Sequence, residues 1–166
     1  MLGYSQSIQS LSKEFTLQTE LNSTGSLLYS LSYKNQNLVT KGKTGFVLSN
    51  NENFSSNFSI VKWDTLTHRS SWQPVWGEVK EIKNEYKELA ITLQQKSTNR
   101  ILLIRFRLFD DGLGFRYEFP QQSNLQHFIV KDELTSFPLS GNHKAFWIPG
   151  DYDTNEYIYS TTLLHA

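Results

Sequence analysis

The chain has 166 residues, with 16 basic and 16 acidic side chains and a formal net charge of zero at pH 7. This balance argues against a nucleic-acid-binding protein, which usually needs a basic face. The chain is also too short for a complete (β/α)8 barrel, which takes roughly 250 residues. It has no cysteines, which excludes disulfides and thiolate chemistry. The longest aliphatic run, at 101–104, is too short for a membrane span.

Apolar residues recur with a period of two along most of the chain, which predicts β-strands. Residues 15–21 and 27–33 alternate in this way, and we expect them to form the first hairpin, joined through a turn that contains Gly25. Residues 1–14 precede the first predicted strand and are interpreted as an N-terminal extension. The sandwich domain is therefore expected to span 15–166.

The same alternation predicts strands in the rest of the chain, at 58–63, 89–93, 101–108, 115–119 and 128–134. Asp110-Asp111-Gly112 predicts a hairpin turn, and the Asn- and Ser-rich residues 49–59 predict an exposed loop. No stretch shows a convincing amphipathic helix. These patterns together indicate an all-β, antiparallel β-sandwich.

The densest polar segment runs from Ile148 to Tyr157 and contains Asp151, Asp153, Asn155 and Glu156. Carboxylate and amide oxygens at this density could bind a hard cation such as Ca²⁺. An EF-hand is excluded, because its sixth position would be Glu156 instead of glycine. The alternative is a turn in which Asp and Asn side chains bond their own backbone, and spacing alone favours it.

Other candidate sites have less support. Asp110 and Asp111 could be read as a pair of catalytic carboxylates, but adjacent strand residues point to opposite faces and a hairpin turn explains them better. The four histidines are not spaced as a zinc site. The four tryptophans, Trp63, Trp72, Trp76 and Trp147, could stack on sugar rings, although burial tendencies favour a place in the sandwich core.

Several ordered strings resemble the N-terminal domain of glycoside hydrolase family 97, a family of α-glucosidases and α-galactosidases. They are WQPVWGE (72–78), NEYKEL (84–89), RFRLFDDGLGFRYEFP (105–120), KDELTSF (131–137) and WIPGDYDTNEYIY (147–159). The resemblance covers the chain from about Phe15 onward. It implies a β-super-sandwich related to the galactose-mutarotase-like fold, here expected to be incomplete at the C-terminal end.

The resemblance also implies a partner and a metal. In the family this domain packs against a catalytic (β/α)8 barrel and contributes one glutamate to an active-site Ca²⁺. By position that residue is Glu156, with Asn155 beside it as a second candidate ligand. Trp147, Tyr152 and Asp153 are expected to line part of the sugar pocket. The other calcium ligands would come from the barrel, so this chain alone is expected to be inactive and to bind calcium weakly or not at all.

The leading hypothesis is an accessory domain of a calcium-dependent, exo-acting α-glycoside hydrolase that acts on α-linked oligosaccharides. Family membership implies a periplasmic or secreted location, although this sequence shows no signal peptide. Two alternatives stay open: a free-standing carbohydrate-binding β-sandwich without catalysis, and a purely structural sandwich from a truncated reading frame. No nucleic-acid partner and no membrane span are expected.

Overall fold

The computed structural model describes residues 5–49, 52–153 and 156–165. This part of the chain contains strands and no helix, and hence no helix that could cross a membrane. The strands are β1 (Ser5–Gln9), β2 (Phe15–Leu21), β3 (Leu27–Tyr33), β4 (Gln36–Lys43), β5 (Phe46–Leu48), β6 (Asn53–Phe54), β7 (Phe58–Trp72), β8 (Ile82–Gln95), β9 (Ile101–Leu108), β10 (Leu113–Glu118), β11 (Val130–Glu133), β12 (Lys144–Trp147) and β13 (Ser160–Leu163).

Two four-stranded antiparallel sheets form the sandwich. The first has the strand order β1-β2-β3-β4 and the second β10-β9-β8-β7. A three-stranded sheet, β11-β5-β6, adds residues to the same core, and β12 pairs with β13 as a separate hairpin. The predicted all-β, antiparallel sandwich is confirmed.

The core lies between the inner faces of the two large sheets. In the second sheet, Leu89, Ile91 and Leu93 of β8 lie opposite Phe106, Ile104 and Leu102 of β9, and all six are buried. In the first sheet, Leu17 of β2 lies opposite Leu31 of β3. Each such side chain contributes about 1.5–3 kcal/mol when it leaves water. The period-two pattern of the sequence therefore describes the inner faces correctly.

The predicted exposed loop at 49–59 is wrong in its central part. Residues 53–54 form β6, and the Phe54 ring is fully buried, with its centroid 5.4 Å from that of Phe58. The polar flanks are held by the buried Gln95, whose side-chain amide donates to the carbonyls of Asn53 at 2.7 Å and Ser56 at 3.2 Å. A long-range contact from β8 thus orders a segment whose local composition indicates a loop.

The predicted N-terminal extension contains a strand that the hydrophobic pattern does not show. β1 pairs with β2 in continuous register from Ser5 opposite Glu20 to Gln9 opposite Thr16. Ile8 is the one large aliphatic residue of this strand, so alternation of apolar residues could not identify it. Backbone pairing with β2 places residues 5–9 in the first sheet, and Ile8 is the one large aliphatic side chain of the strand that packs against the core.

The interpretation of the tryptophans as core residues is wrong for three of the four. Trp72, Trp76 and Trp147 are exposed, while Trp63 packs against the core from its edge. The exposed tryptophans lie at the end of the β7–β8 hairpin and in the C-terminal β12–β13 hairpin. Both regions project beyond the inner faces of the sheets, so their large rings remain accessible to water.

Candidate functional site

The candidate site lies on the C-terminal hairpin, in the connection between β12 and β13. The preceding segment runs beside β4, where Thr40 N–H donates to the Pro138 carbonyl at 3.0 Å and Ser140 N–H donates to the Leu38 carbonyl at 2.9 Å. In chain order the hydrophobic core ends at Phe128. The hairpin and its connection therefore lie outside that core.

The two strands of this hairpin define where the connection begins and ends. Trp147 lies opposite Ser160 at the last pair, so residues 148–159 link the strands. The indole N–H of Trp147 donates to the Thr162 hydroxyl at 3.2 Å across the pair. This bond fixes the tryptophan ring beside the start of the connection while leaving the side chain partly exposed.

Asp151 organises the described part of the connection. One of its carboxylate oxygens accepts the backbone N–H of Asp153 at 3.0 Å, and the other accepts a hydrogen bond from the Tyr157 phenol. The backbone N–H of Asp153 and the Tyr157 hydroxyl lower the pKa of Asp151, and the same carboxylate raises the pKa of Tyr157. The turn predicted from the Asp-rich spacing is therefore confirmed at Asp151, which acts as its anchor.

The predicted ligand and pocket residues are exposed around this anchor. Glu156 precedes the anchored Tyr157 and lies at the surface, as do Tyr152 and Asp153. Asn155 lies outside the described residues. The sequence did not predict the hydrogen bond between Tyr157 and Asp151. A hydrogen bond between residues six apart leaves no periodic signal in a sequence.

The described residues do not contain a complete metal centre. No group of three or more His, Cys, Asp or Glu side chains lies together in this part of the chain in a way that could hold a metal ion. Calcium takes 6–8 oxygen ligands, whereas the described part of the connection carries three exposed carboxylates, at Asp151, Asp153 and Glu156. Carboxylate oxygens are the donor type that calcium prefers, but these residues are too few to complete its coordination.

A second cluster of carboxylates lies on the outer face of the second sheet, and it has the wrong electrostatics for acid–base catalysis. Glu118 accepts hydrogen bonds from Arg105 at 2.6 and 3.0 Å. The buried Glu88 accepts hydrogen bonds from Arg105 and, at 2.9 Å, from Arg107. Burial acts to raise the pKa of Glu88, but the two arginines outweigh it and the pKa is lowered. A general acid needs a raised pKa, so this cluster is a structural ion-pair network.

Asp110 and Asp111 do not form a catalytic pair. They occupy the turn between β9 and β10, where Phe109 N–H donates to the Gly112 carbonyl at 2.8 Å. Asp110 accepts the backbone N–H of Ser12 at 2.7 Å, which lowers its pKa. The hairpin turn predicted from the sequence is confirmed, and Asp110 also ties the β1–β2 connection to it.

These features define an all-β domain, a sandwich that presents a polar and aromatic connection outside its own core. A profile of the family described as Glycosyl-hydrolase 97 N-terminal matches residues 8–166. The chain therefore belongs to glycoside hydrolase family 97 and corresponds to the N-terminal domain of its enzymes, as the sequence resemblance indicated.

Solved structures show the same relationship. The chain is 30% identical to a glycoside hydrolase family 97 enzyme from Pseudoalteromonas sp. strain K8, solved as a variant with panose and also with acarbose, with a TM-score of 0.87 in each case. The match covers 95% of this chain and 24% of the enzyme. A beta-arabinopyranosidase, 20% identical with a TM-score of 0.75, shares the fold over 85% of this chain and 22% of its own. The chain thus spans about a quarter of the length of the enzymes that it matches.

Proposed function

We propose that this chain is the N-terminal accessory domain of a calcium-dependent, exo-acting α-glycoside hydrolase. The observation that carries the proposal is the match of residues 8–166 to the N-terminal domain of family 97 enzymes that are far longer than this chain. In this proposal a catalytic (β/α)8 barrel outside these residues carries the reaction, and the isolated chain is inactive. A periplasmic or secreted location belongs to the same proposal.

Glu156 is the proposed calcium ligand of this domain. Its exposure supports the proposal, because a carboxylate at the surface of a projecting hairpin can reach a metal held mainly by another domain. The neighbouring Tyr157 is anchored on Asp151, which limits the positions available to Glu156. Asn155 is the proposed second donor. Calcium bound there would supply Lewis-acid and orienting chemistry, while this chain would supply oxygen ligands and their placement.

The sugar-binding role is assigned to Trp147, Tyr152 and Asp153. An aromatic ring buries the apolar face of a sugar, and a nearby carboxylate accepts hydrogen bonds from the sugar hydroxyls. Tyr152 is wholly exposed and Trp147 is about half exposed, so both rings are accessible to a ligand. The proposed substrate class is an α-linked oligosaccharide, and the relative from Pseudoalteromonas sp. strain K8 was solved with panose.

The exposure of Trp147 and Tyr152 also favours a second candidate, a free-standing carbohydrate-binding module. The two functions differ in what the isolated chain does. A binding module takes up maltose or melibiose by itself, with the heat of binding lost in Trp147→Ala. An accessory domain whose pocket is shared with a barrel gives no heat with either sugar.

The metal role is tested by comparing Glu156→Gln with Glu20→Gln in the complete enzyme, of which this chain is the proposed N-terminal domain. Both residues are surface carboxylates, and Glu20 lies in β2 of the first sheet. We expect Glu156→Gln to weaken calcium binding at least tenfold and to lower calcium-dependent hydrolysis, because one charged ligand is lost. Glu20→Gln should change neither quantity. Equal calcium affinity in the two variants would overturn the assignment.

A further inference from the structure

The β7–β8 hairpin extends well beyond the sandwich. β7 and β8 pair from Phe58 opposite Gln95 to Trp72 opposite Ile82, whereas β9 accompanies β8 only as far as Lys87. Within the described residues, positions 69–85 therefore pair only with one another, and we call this segment the arm. A two-stranded hairpin has little stability of its own in water, so the arm depends on its attachment to the sheet.

The base of the arm is held firmly. The buried Tyr86 ring stacks on His68 with centroids 4.8 Å apart and lies 5.3 Å from the Phe109 ring. The Arg107 guanidinium lies 4.5 Å from the centre of the same ring, a cation–π contact. Because the base is packed in this way, the arm leaves the sheet in a defined direction. Its tip is therefore preorganised.

The tip of the arm is apolar and exposed. Val75 and Trp76 are almost wholly accessible to water, and Trp72, Val79 and Ile82 are also exposed. The same segment carries exposed charges of both signs at Glu78, Lys80, Glu81 and Lys83. An apolar patch with a mixed polar rim is typical of a protein–protein contact, and tryptophan is common among the residues that dominate such contacts.

The chemistry of the tip favours a protein surface over a sugar. A sugar site combines aromatic rings with polar groups directed at hydroxyls, whereas the rings here are accompanied by Val75, Val79 and Ile82.

The lengths of the related enzymes indicate which protein surface the tip contacts. Three quarters of each lies outside the region that this chain matches. The aligned share is 95% of this chain, and the arm is longer than the remainder, so the arm lies at least partly within the region shared with those enzymes.

We propose that the arm docks the domain onto the catalytic region of the enzyme, with Trp72, Val75, Trp76 and Val79 buried against an apolar surface of that region. This inference rests on the proposed function, since it requires a catalytic region in the same protein. It adds a contact that is separate in the chain from the β12–β13 connection. The domain would then be held at the arm while Glu156 is presented to the metal.

The test compares hydrogen exchange of residues 69–85 in the 166-residue chain and in the complete enzyme. We expect exchange to be at least tenfold slower in the complete enzyme. Val79→Ser and Trp76→Ser should restore fast exchange there without changing the melting temperature of the isolated chain. The matched control is Val61→Ser, because Val61 and Val79 are both 57% exposed but Val61 lies outside the arm.

The outcomes separate this inference from the proposed function. Equal exchange of the arm in both proteins would overturn the docking, even if Glu156→Gln still weakens calcium binding. A protected arm together with unchanged calcium binding in Glu156→Gln would overturn only the metal role. Dimerisation of the isolated chain that Val79→Ser abolishes and Val61→Ser does not would identify a second copy as the occupant and also overturn the docking.

Discussion

Arg105 binds Glu118 through two parallel hydrogen bonds, from Nε to Oε1 at 2.6 Å and from Nη2 to Oε2 at 3.0 Å. The same guanidinium also donates to Glu88 on the neighbouring strand. Arg105 thus bridges two carboxylates on the outer face of the second sheet, and each carboxylate has a second arginine partner, Arg107 for Glu88 and Arg116 for Glu118. Charge-assisted bonds of this forked geometry are stronger than ordinary hydrogen bonds, and they connect β8, β9 and β10.

Because of this network, the stability of the fold depends on pH in the acid range. Hydrogen bonding to Arg105 lowers the pKa of Glu118 from 4.5 to about 2. Because the folded pKa lies below the unfolded one, the stabilisation is complete above about pH 4.5 and is lost as the pH falls toward 2. Urea unfolding at several pH values should show this loss in the parent chain and a smaller pH dependence in Glu118→Gln. Parallel pH profiles for the two proteins would contradict the assignment.

Arg105→Lys should destabilise the chain by about 1–3 kcal/mol, because an ammonium group cannot reproduce the forked contact and leaves the buried Glu88 poorly paired. Arg116→Lys is the matched control. Arg116 also binds Glu118 but is largely exposed, so its replacement should change the free energy of unfolding by about 0–1 kcal/mol. Chemical denaturation of the two variants measures the difference, and equal losses would disprove the central role of Arg105.

Phe54→Ala should cost about 3–5 kcal/mol, because it removes a fully buried ring from the core. Phe146→Ala removes the same atoms from an exposed position in β12 and should cost less than about 0.5 kcal/mol. The difference in unfolding free energy distinguishes an ordered β6 from the exposed loop that the composition of 49–59 predicts. A small loss for Phe54→Ala would restore the loop interpretation.

Tyr157→Phe should raise the pKa of Asp151 toward its ordinary range, since the phenol hydrogen bond is lost. The bond from the Asp153 N–H should keep part of the lowering. Tyr159→Phe serves as the control, because Tyr159 is an exposed tyrosine of the same connection. Carboxyl carbon chemical shifts followed through a pH titration report the pKa directly. No difference between the two variants would show that the phenol does not hold Asp151 in solution.

The sequence predicted the inner faces of the sheets well, because burial there follows the strand period. Residues 15–21 and 27–33 form β2 and β3 as expected, and the turn at Asp110 joins β9 to β10. The motif strings also predicted the family, which the profile match over residues 8–166 confirms. These successes share a local origin, since alternation, turn chemistry and short strings are all properties of neighbouring residues.

The features that the sequence did not predict depend on contacts between distant residues. The Phe54 ring packs against Phe58 while Gln95 bonds the backbone on either side of it, and β1 is a strand because β2 offers it a backbone edge. Trp76 is exposed although large aromatic rings are usually buried, because it lies at the end of a projecting arm. The metal role of Glu156 comes from the resemblance and stays a prediction.

The proposed calcium role of this domain can be tested most directly by a crystal structure of the complete enzyme with calcium, in which anomalous scattering locates the ion. We predict that a Glu156 carboxylate oxygen lies about 2.3–2.6 Å from calcium and that most of the other ligands come from outside residues 1–166. A calcium ion at the catalytic centre whose ligands do not include Glu156 would contradict this role.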